Sequence, residues 1–182
     1  LLFINLPSLN FIWMNFIVSS SYLLKNLNSI SGIITSNPVV PILENVLFEI
    51  ENGNLLITAS DLQTSVIVEL QVESKEDGSV AIPAKILIDT LKNLPEQPVT
   101  FSIDDQNYNI EINSDNGKYK LAGENSADFP KVPSVSDGFS AIINSEILNS
   151  AISNTIFSTS TDELRPAMTG VFFKLSQNSG TY

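Results

Sequence analysis

One stretch of this chain occurs twice, 125 residues apart. Phe16-Ile17-Val18 predicts the opening of a strand, and a helical pattern runs from Tyr22 to Ile34. Pro41-Ile42-Leu43-Glu44-Asn45 then leads into a strand, Val46 to Ile50. The second copy opens with Ala141-Ile142-Ile143 and continues as a helical pattern from Glu146 to Phe157. It passes through Pro166 to Gly170 into the strand Val171 to Leu175. Both Phe16 to Ala141 and Val46 to Val171 keep the 125-residue offset. A period that long exceeds any solenoid repeat and has the size of a domain. The pattern predicts one whole domain followed by the opening of its duplicate, the second copy being cut short.

Within the first copy, Ser20 or Ser21 is placed to cap a helix starting near Tyr22. Leu23, Leu24, Leu27, Ile30 and Ile34 recur at helical spacing, and Gly32 and Pro38 close the segment. Asn45 to Glu51 alternates as a strand, and Asn52-Gly53 is a strong hairpin signal. Leu55 to Ser60 and Ser65 to Val72 read as strands, and Asp77-Gly78 turns the chain toward Val80-Ala81-Ile82. Pro83 stands at the start of a second helix with the stripe Ile86, Leu87, Thr90, Leu91, Leu94, stopped by Pro95. Val99 to Ile103, Tyr108 to Ile112 and Lys118 to Ala122 alternate as strands. The order β-α-β-β-β-α-β-β-β, with two helices and about seven hairpin-joined strands, places the chain in the α+β class with antiparallel sheets. The Pro- and Ser-marked stretch after Asp128 predicts a boundary: a first domain over 14–130, a linker over 131–137, and the start of a second domain over 138–182. A half-built second domain exposes unpaired strands, so disorder or aggregation is expected beyond Asp137.

Leu1 to Trp13 is mostly apolar but has no basic residue before the apolar run and no small-residue cleavage pattern. Interrupted by Pro7 and Asn10, it is also too short for a membrane span. The segment 1–13 reads as upstream or non-native sequence, with Met14 as the start of the domain.

The chain has no cysteine and no histidine, which removes disulfides, the commonest general base and a zinc site. Carboxylates, lysines and hydroxyls are what remain to an enzyme, and Asp61, Asp89 and Asp128 stand at no recognised metal spacing; turn and capping roles suit them better. With nine basic and twenty acidic residues the net charge is −11, so nucleic acid is repelled on average unless the cations are clustered.

Ordered motifs then carry a resemblance to a family. They are Met14 to Val18, Tyr22 to Lys25, Pro41 to Asn45, Leu56 to Leu62, Ile82 to Lys85, Leu94-Pro95, Ala127 to Pro130, and Arg165 with Gly170 to Phe173. Each is short, but their order and spacing over Met14 to about Leu175 resemble the bacterial replicative sliding clamp, the beta subunit of DNA polymerase III. The resemblance implies the clamp fold: two helices packed on antiparallel sheets, repeated per domain. It further implies a head-to-tail homodimeric ring around double-stranded DNA, with helices inward, in the bacterial cytoplasm. The implied partners are the DNA polymerase III catalytic subunit and a clamp loader. The implied role is non-catalytic, with no cofactor, no metal and no membrane.

Under that resemblance Lys25, Lys85 and Lys92 are the DNA-facing side chains, on helices that carry only one acid, Asp89. Taken alone, the same lysines are those of any solvated helix face. Asn37 lies in a loop that approaches DNA in the family, where some members carry arginine. Arg165, the sole arginine, either touches DNA or braces its loop. Tyr119 and Leu121 match the edge strand used as a subunit interface, though by alternation alone both equally face the core. Met168 matches a position near the partner-peptide pocket. The alternative from another class is an acidic α+β interaction module that never meets DNA, favoured if the three lysines are buried or scattered.

Overall fold

The computed structural model describes residues 13–34, 39–132, 142–162 and 164–174. The chain divides into two compact units, Leu1–Pro133 and Ser134–Tyr182.

The first unit runs β1 (Trp13–Ser19), α1 (Ser20–Ile30), β2 (Asn45–Glu51), β3 (Asn54–Ser60), β4 (Ser65–Gln71), β5 (Glu73–Ser74), β6 (Gly78–Pro83), α2 (Ala84–Lys92), β7 (Pro98–Asp104), β8 (Asn109–Ser114) and β9 (Gly117–Ala122). This is the expected α+β class. Its two halves share one plan, β1-α1-β2-β3-β4 and β6-α2-β7-β8-β9, and they exchange their first strands. The sheets are ordered β5-β1-β7-β8-β9 and β4-β3-β2-β6. Each helix therefore carries the chain from one sheet to the other. A helical crossover within a single sheet would force parallel pairing; here every strand pair is antiparallel.

A single apolar core draws on both sheets and both helices. At its centre Phe16 stacks on Phe101 with ring centroids 4.6 Å apart, and Phe48 of the other sheet tilts against them at 6.3 and 6.4 Å. Burial of such a side chain contributes about 1.5–3 kcal/mol. The β2–β3 hairpin turns on Asn52 (φ 52°) and Gly53 (φ 79°), the doubly left-handed turn that matches strand twist.

Two helix details differ from expectation. Ser19, not Ser20 or Ser21, caps α1 by accepting the Tyr22 N–H at 3.4 Å. Ser20 is drawn inward instead: it is buried, and its Oγ donates to Pro95 O at 2.8 Å. On α2 the buried face is Ala84, Leu87, Ile88 and Leu91, whereas Ile86 is exposed. Once the helix starts at Ala84, Ile86 lies about 200° around from it. The two-residue strand β5 is not foreshadowed in the sequence, because so short a segment shows no periodicity.

After β9 the chain returns to the other sheet. A Cβ on Gly123 would sit 2.9 Å from both Tyr108 O and Val80 Cγ2, so only glycine allows this approach. Ala81 and Glu124 then exchange backbone hydrogen bonds at 3.0 and 2.8 Å, and Phe129 packs with Ile42 and Ala81. Buried Asn45, the last residue of the Pro41 motif, donates to Glu124 Oε1 at 2.9 Å.

The second unit contains α3 (Ser145–Ser153), capped by Asn144, and two 3₁₀ turns at Ile156–Ser158 and Pro166–Met168. The expected helix thus forms but stops at Ser153 rather than Phe157. Residues 142–144 and 171–174 are not strands, since no neighbouring strand is available to them among the described residues of this unit. No described residue here is buried, so its order is local.

Candidate nucleic-acid interface

Lys25, Lys85 and Lys92 are all exposed on helices that pack against each other. Lys25 is the sole ionisable group of α1 other than Tyr22, because the buried stripe Leu23, Leu27 and Ile30 leaves polar neutral residues on the outer face. Lys85 and Lys92, seven residues apart, share one outward face of α2. The acid between them, Asp89, approaches Lys92 Nζ at 3.7 Å, with both side chains more than half exposed. Such a pair is loose and screened. Lys92 also sits in the last turn of α2, where a cation complements the helix dipole. Three lysines against one carboxylate make this helix pair a basic island on a chain of net charge −11.

The frame beneath the helices is polar and fully bonded. Gln97 is 7% exposed and follows the loop that ends α2. Its Oε1 accepts the Asp115 N–H at 2.8 Å, its Nε2 donates to Asn116 Oδ1 at 2.9 Å, and its backbone N–H donates to Ser20 Oγ at 3.1 Å. The first residue of α1 is thereby tied to the exit of α2 and to the β8–β9 turn. Sequence reasoning missed this node; a glutamine between Glu96 and Pro98 at the entry to a strand was its only signal.

The remaining sequence-derived residues lie elsewhere. Asn37 is outside the described residues. Of Tyr119 and Leu121, Leu121 is 8% exposed within the core, while Tyr119 is half-buried and packs against it. Core-facing alternation on β9 turns Lys118 and Lys120 outward instead. What β9 leaves open is its backbone edge, since among the described residues it pairs only with β8. Beside it, Lys118 Nζ donates to Glu111 Oε1 at 3.1 Å and Lys120 Nζ lies 4.0 Å from Oε2. The Lys118 hydrogen bond, helped by Asn113 and by the charges of both lysines, holds the Glu111 carboxyl below its ordinary pKa against an opposing effect of burial. Arg165 and Met168 belong to the second unit and are both exposed; Arg165 Nε lies 3.8 Å from Asp162 Oδ2, an ion pair within its own turn.

The candidate carboxylates do not converge. Asp61 Oδ1 accepts the N–H groups of Gln63 and Thr64 at 2.9 and 2.6 Å, a turn role, and Asp128 ends a 3₁₀ turn. Among the described residues no three His, Cys, Asp or Glu side chains gather as a metal site, and no helix is long and apolar enough to cross a membrane.

Comparison with known proteins follows the same lines. Residues 14–133 match the model of the DNA polymerase III beta subunit, N-terminal domain. The chain is 30% identical over 173 residues to a beta sliding clamp of Synechocystis, covering 91% of this chain and 44% of that relative. It is 28% identical over 170 residues to a beta sliding clamp of Halalkalibacterium halodurans, covering 89% of this chain and 44% of the relative. It therefore spans less than half the length of these relatives. Among solved structures, a Bartonella birtlesii sliding clamp (DNA polymerase III subunit beta) bound to griselimycin superposes with a TM-score of 0.78 at 28% identity, covering 85% of this chain and 41% of that one. A Streptococcus pneumoniae DNA polymerase III beta chain gives 0.77 at 25% identity, with 84% and 42% covered. With the exchanged-strand, two-helix architecture and the match over 14–133, this chain belongs to the family of DNA polymerase III beta subunits.

Proposed function

We propose that the chain forms the N-terminal part of a sliding clamp, a non-catalytic processivity factor. The whole protein would encircle duplex DNA as a head-to-tail homodimer and tether the DNA polymerase III catalytic subunit during replication. A clamp loader would place it on DNA in the bacterial cytoplasm. Lys25, Lys85 and Lys92 face the duplex, with Asn37 and Arg165 as further DNA-facing positions and Met168 beside the partner-peptide pocket. The β9 edge that carries Tyr119 and Leu121 serves the subunit interface. The domain of 14–130 is followed by the linker 131–137 and the start of the next domain.

The observation that carries this reading is the basic island on α1 and α2. A ring that slides needs no tight contact; it needs modest positive charge toward the phosphates and mobile counterions between. Buried or scattered lysines would favour the interaction-module alternative; they are exposed on two adjacent helices, which supports the clamp reading.

The test is charge reversal of Lys25, Lys85 and Lys92 to Glu in the full-length protein. Clamp-stimulated DNA synthesis falls, and the salt dependence of affinity for short linear duplex weakens by about 0.9 in log–log slope for each phosphate no longer neutralised. Unchanged processivity at moderate salt rejects the assignment.

A further inference from the structure

We propose that a groove on the first unit, distinct from the basic helix face, is a docking site for an extended peptide that combines apolar and cationic side chains. The groove has a volume of about 710 Å³ and runs between the end of β1, the start of α1, the β4–β5 corner and the loop entering β7. Its size falls within the usual range for binding clefts, about 300–1,000 Å³. Ile17, Val72 and Pro98 supply apolar lining, Tyr22 stands at its wall, and Glu73 and Glu96 lie along it.

Three features select the occupant. First, Ile17 and Tyr22 are 40% and 47% exposed, an aliphatic and an aromatic anchor left half in water. Tyrosine at such a site is a frequent centre of binding energy. Second, β5 covers β1 only at Phe16 and Ile17. Toward Val18 and Ser19 the β1 edge has no strand partner on that side among the described residues. An extended chain adds to such an edge through its backbone. Third, Glu73 and Glu96 are both exposed, and neither has an ion-pair partner among the described residues. Two free carboxylates along an apolar trough favour lysine or arginine beside the aliphatic side chain, and oppose an acidic segment. This inference does not rest on DNA encirclement and stands if that reading fails.

The experiment uses the whole 182-residue chain and a fluorescein-labelled hexapeptide alternating leucine with lysine, followed by fluorescence anisotropy. The matched probe alternates leucine with glutamate. Saturable binding of the lysine probe alone is expected. Tyr22→Ala weakens it about tenfold, and Glu73→Lys with Glu96→Lys weakens it at least as much. Because the chain is strongly acidic, Glu49→Lys with Glu51→Lys serves as a control of equal charge on the exposed side of β2. An equal loss in that control means general charge attraction and overturns the proposal. So does an unchanged affinity in the Tyr22→Ala variant. Self-association of the chain in sedimentation, abolished by the groove variants, would make a second copy the occupant and likewise overturn it.

Discussion

Ser20 and Gln97 hold each other by two opposed hydrogen bonds: the Ser20 N–H donates to Gln97 O at 2.9 Å, and the Gln97 N–H donates to Ser20 Oγ at 3.1 Å. The Ser20 hydroxyl in turn donates its own proton to Pro95 O at 2.8 Å. Removing that hydroxyl leaves the buried Gln97 N–H and the Pro95 carbonyl without it. Ser20→Ala is expected to cost about 1–3 kcal/mol. Gln97→Ala keeps both bonds to Ser20, which use its backbone, and removes instead the acceptor of the Asp115 N–H and the donor to Asn116 Oδ1; at these exposed turn residues the cost is about 0.5–1.5 kcal/mol. Urea unfolding of both variants measures this. A change below about 0.5 kcal/mol in both would show that water replaces the node.

The sequence makes most of the first unit legible because its elements report themselves locally. Leu23, Leu27 and Ile30 recur at helical spacing, Asn52-Gly53 names its own turn, and the strands alternate. What stays hidden depends on partners distant in sequence. Ser20 reads as a cap until Pro95 and Gln97, about 75 residues on, are seen to claim it. Gly123 and Asn45 look ordinary until the return of the chain to β6 brings Val80, Tyr108 and Glu124 beside them. The candidate site divides the same way. Lysine spacing along α2 is readable from heptad arithmetic, whereas the side-chain direction of Tyr119 and Leu121 turns on which face of the sheet meets the core. Periodicity alone leaves that choice open. In the second unit, strand propensity at Val171 to Phe173 finds no neighbour to pair with among the described residues.

Phe48 is the one ring of the aromatic trio contributed by the β4-β3-β2-β6 sheet, 6.3 Å from Phe16 and 6.4 Å from Phe101. It joins the two sheets by contact alone. Phe48→Ala is expected to cost about 3–5 kcal/mol, the range for emptying a fully buried aromatic site. Phe48→Leu, which keeps most of the volume, costs less. Thermal unfolding followed by circular dichroism distinguishes the two, and equal losses would mean that ring contacts rather than filled volume hold the sheets together.

Glu111 predicts a pH dependence with a fixed sign. Hydrogen bonding to Lys118 lowers its folded pKa, so the ionised form is favoured by folding. That contribution is complete above the unfolded carboxylate pKa and disappears as pH falls through the lower folded value. Lys118→Met therefore destabilises the chain at neutral pH, and the difference from the unmodified chain shrinks in acid. Urea midpoints at about pH 7 and about pH 3 give both numbers. The side chains are exposed enough that the effect is modest, and high salt reduces it further. A gap that is constant with pH would assign the loss to packing of the lysine stem instead.

Asp89 is the only acid on the two helices that carry Lys25, Lys85 and Lys92, and it draws Lys92 Nζ to 3.7 Å. On a face meant for phosphates it works against the field and occupies one cation. Asp89→Asn keeps the shape and the solvent exposure, removes the negative charge and releases Lys92. The pair is surface-exposed, so folding stability moves by less than about 1 kcal/mol when it is broken. Affinity of the full-length protein for short linear duplex DNA responds in the opposite sense to the lysine reversals, persisting to higher salt and falling more steeply with it, as neutralising a further phosphate requires. A stability change alone could not produce that pair of effects. If Asp89→Asn leaves both that affinity and its salt slope unaltered, Lys92 does not meet the duplex and the basic island narrows to Lys25 and Lys85.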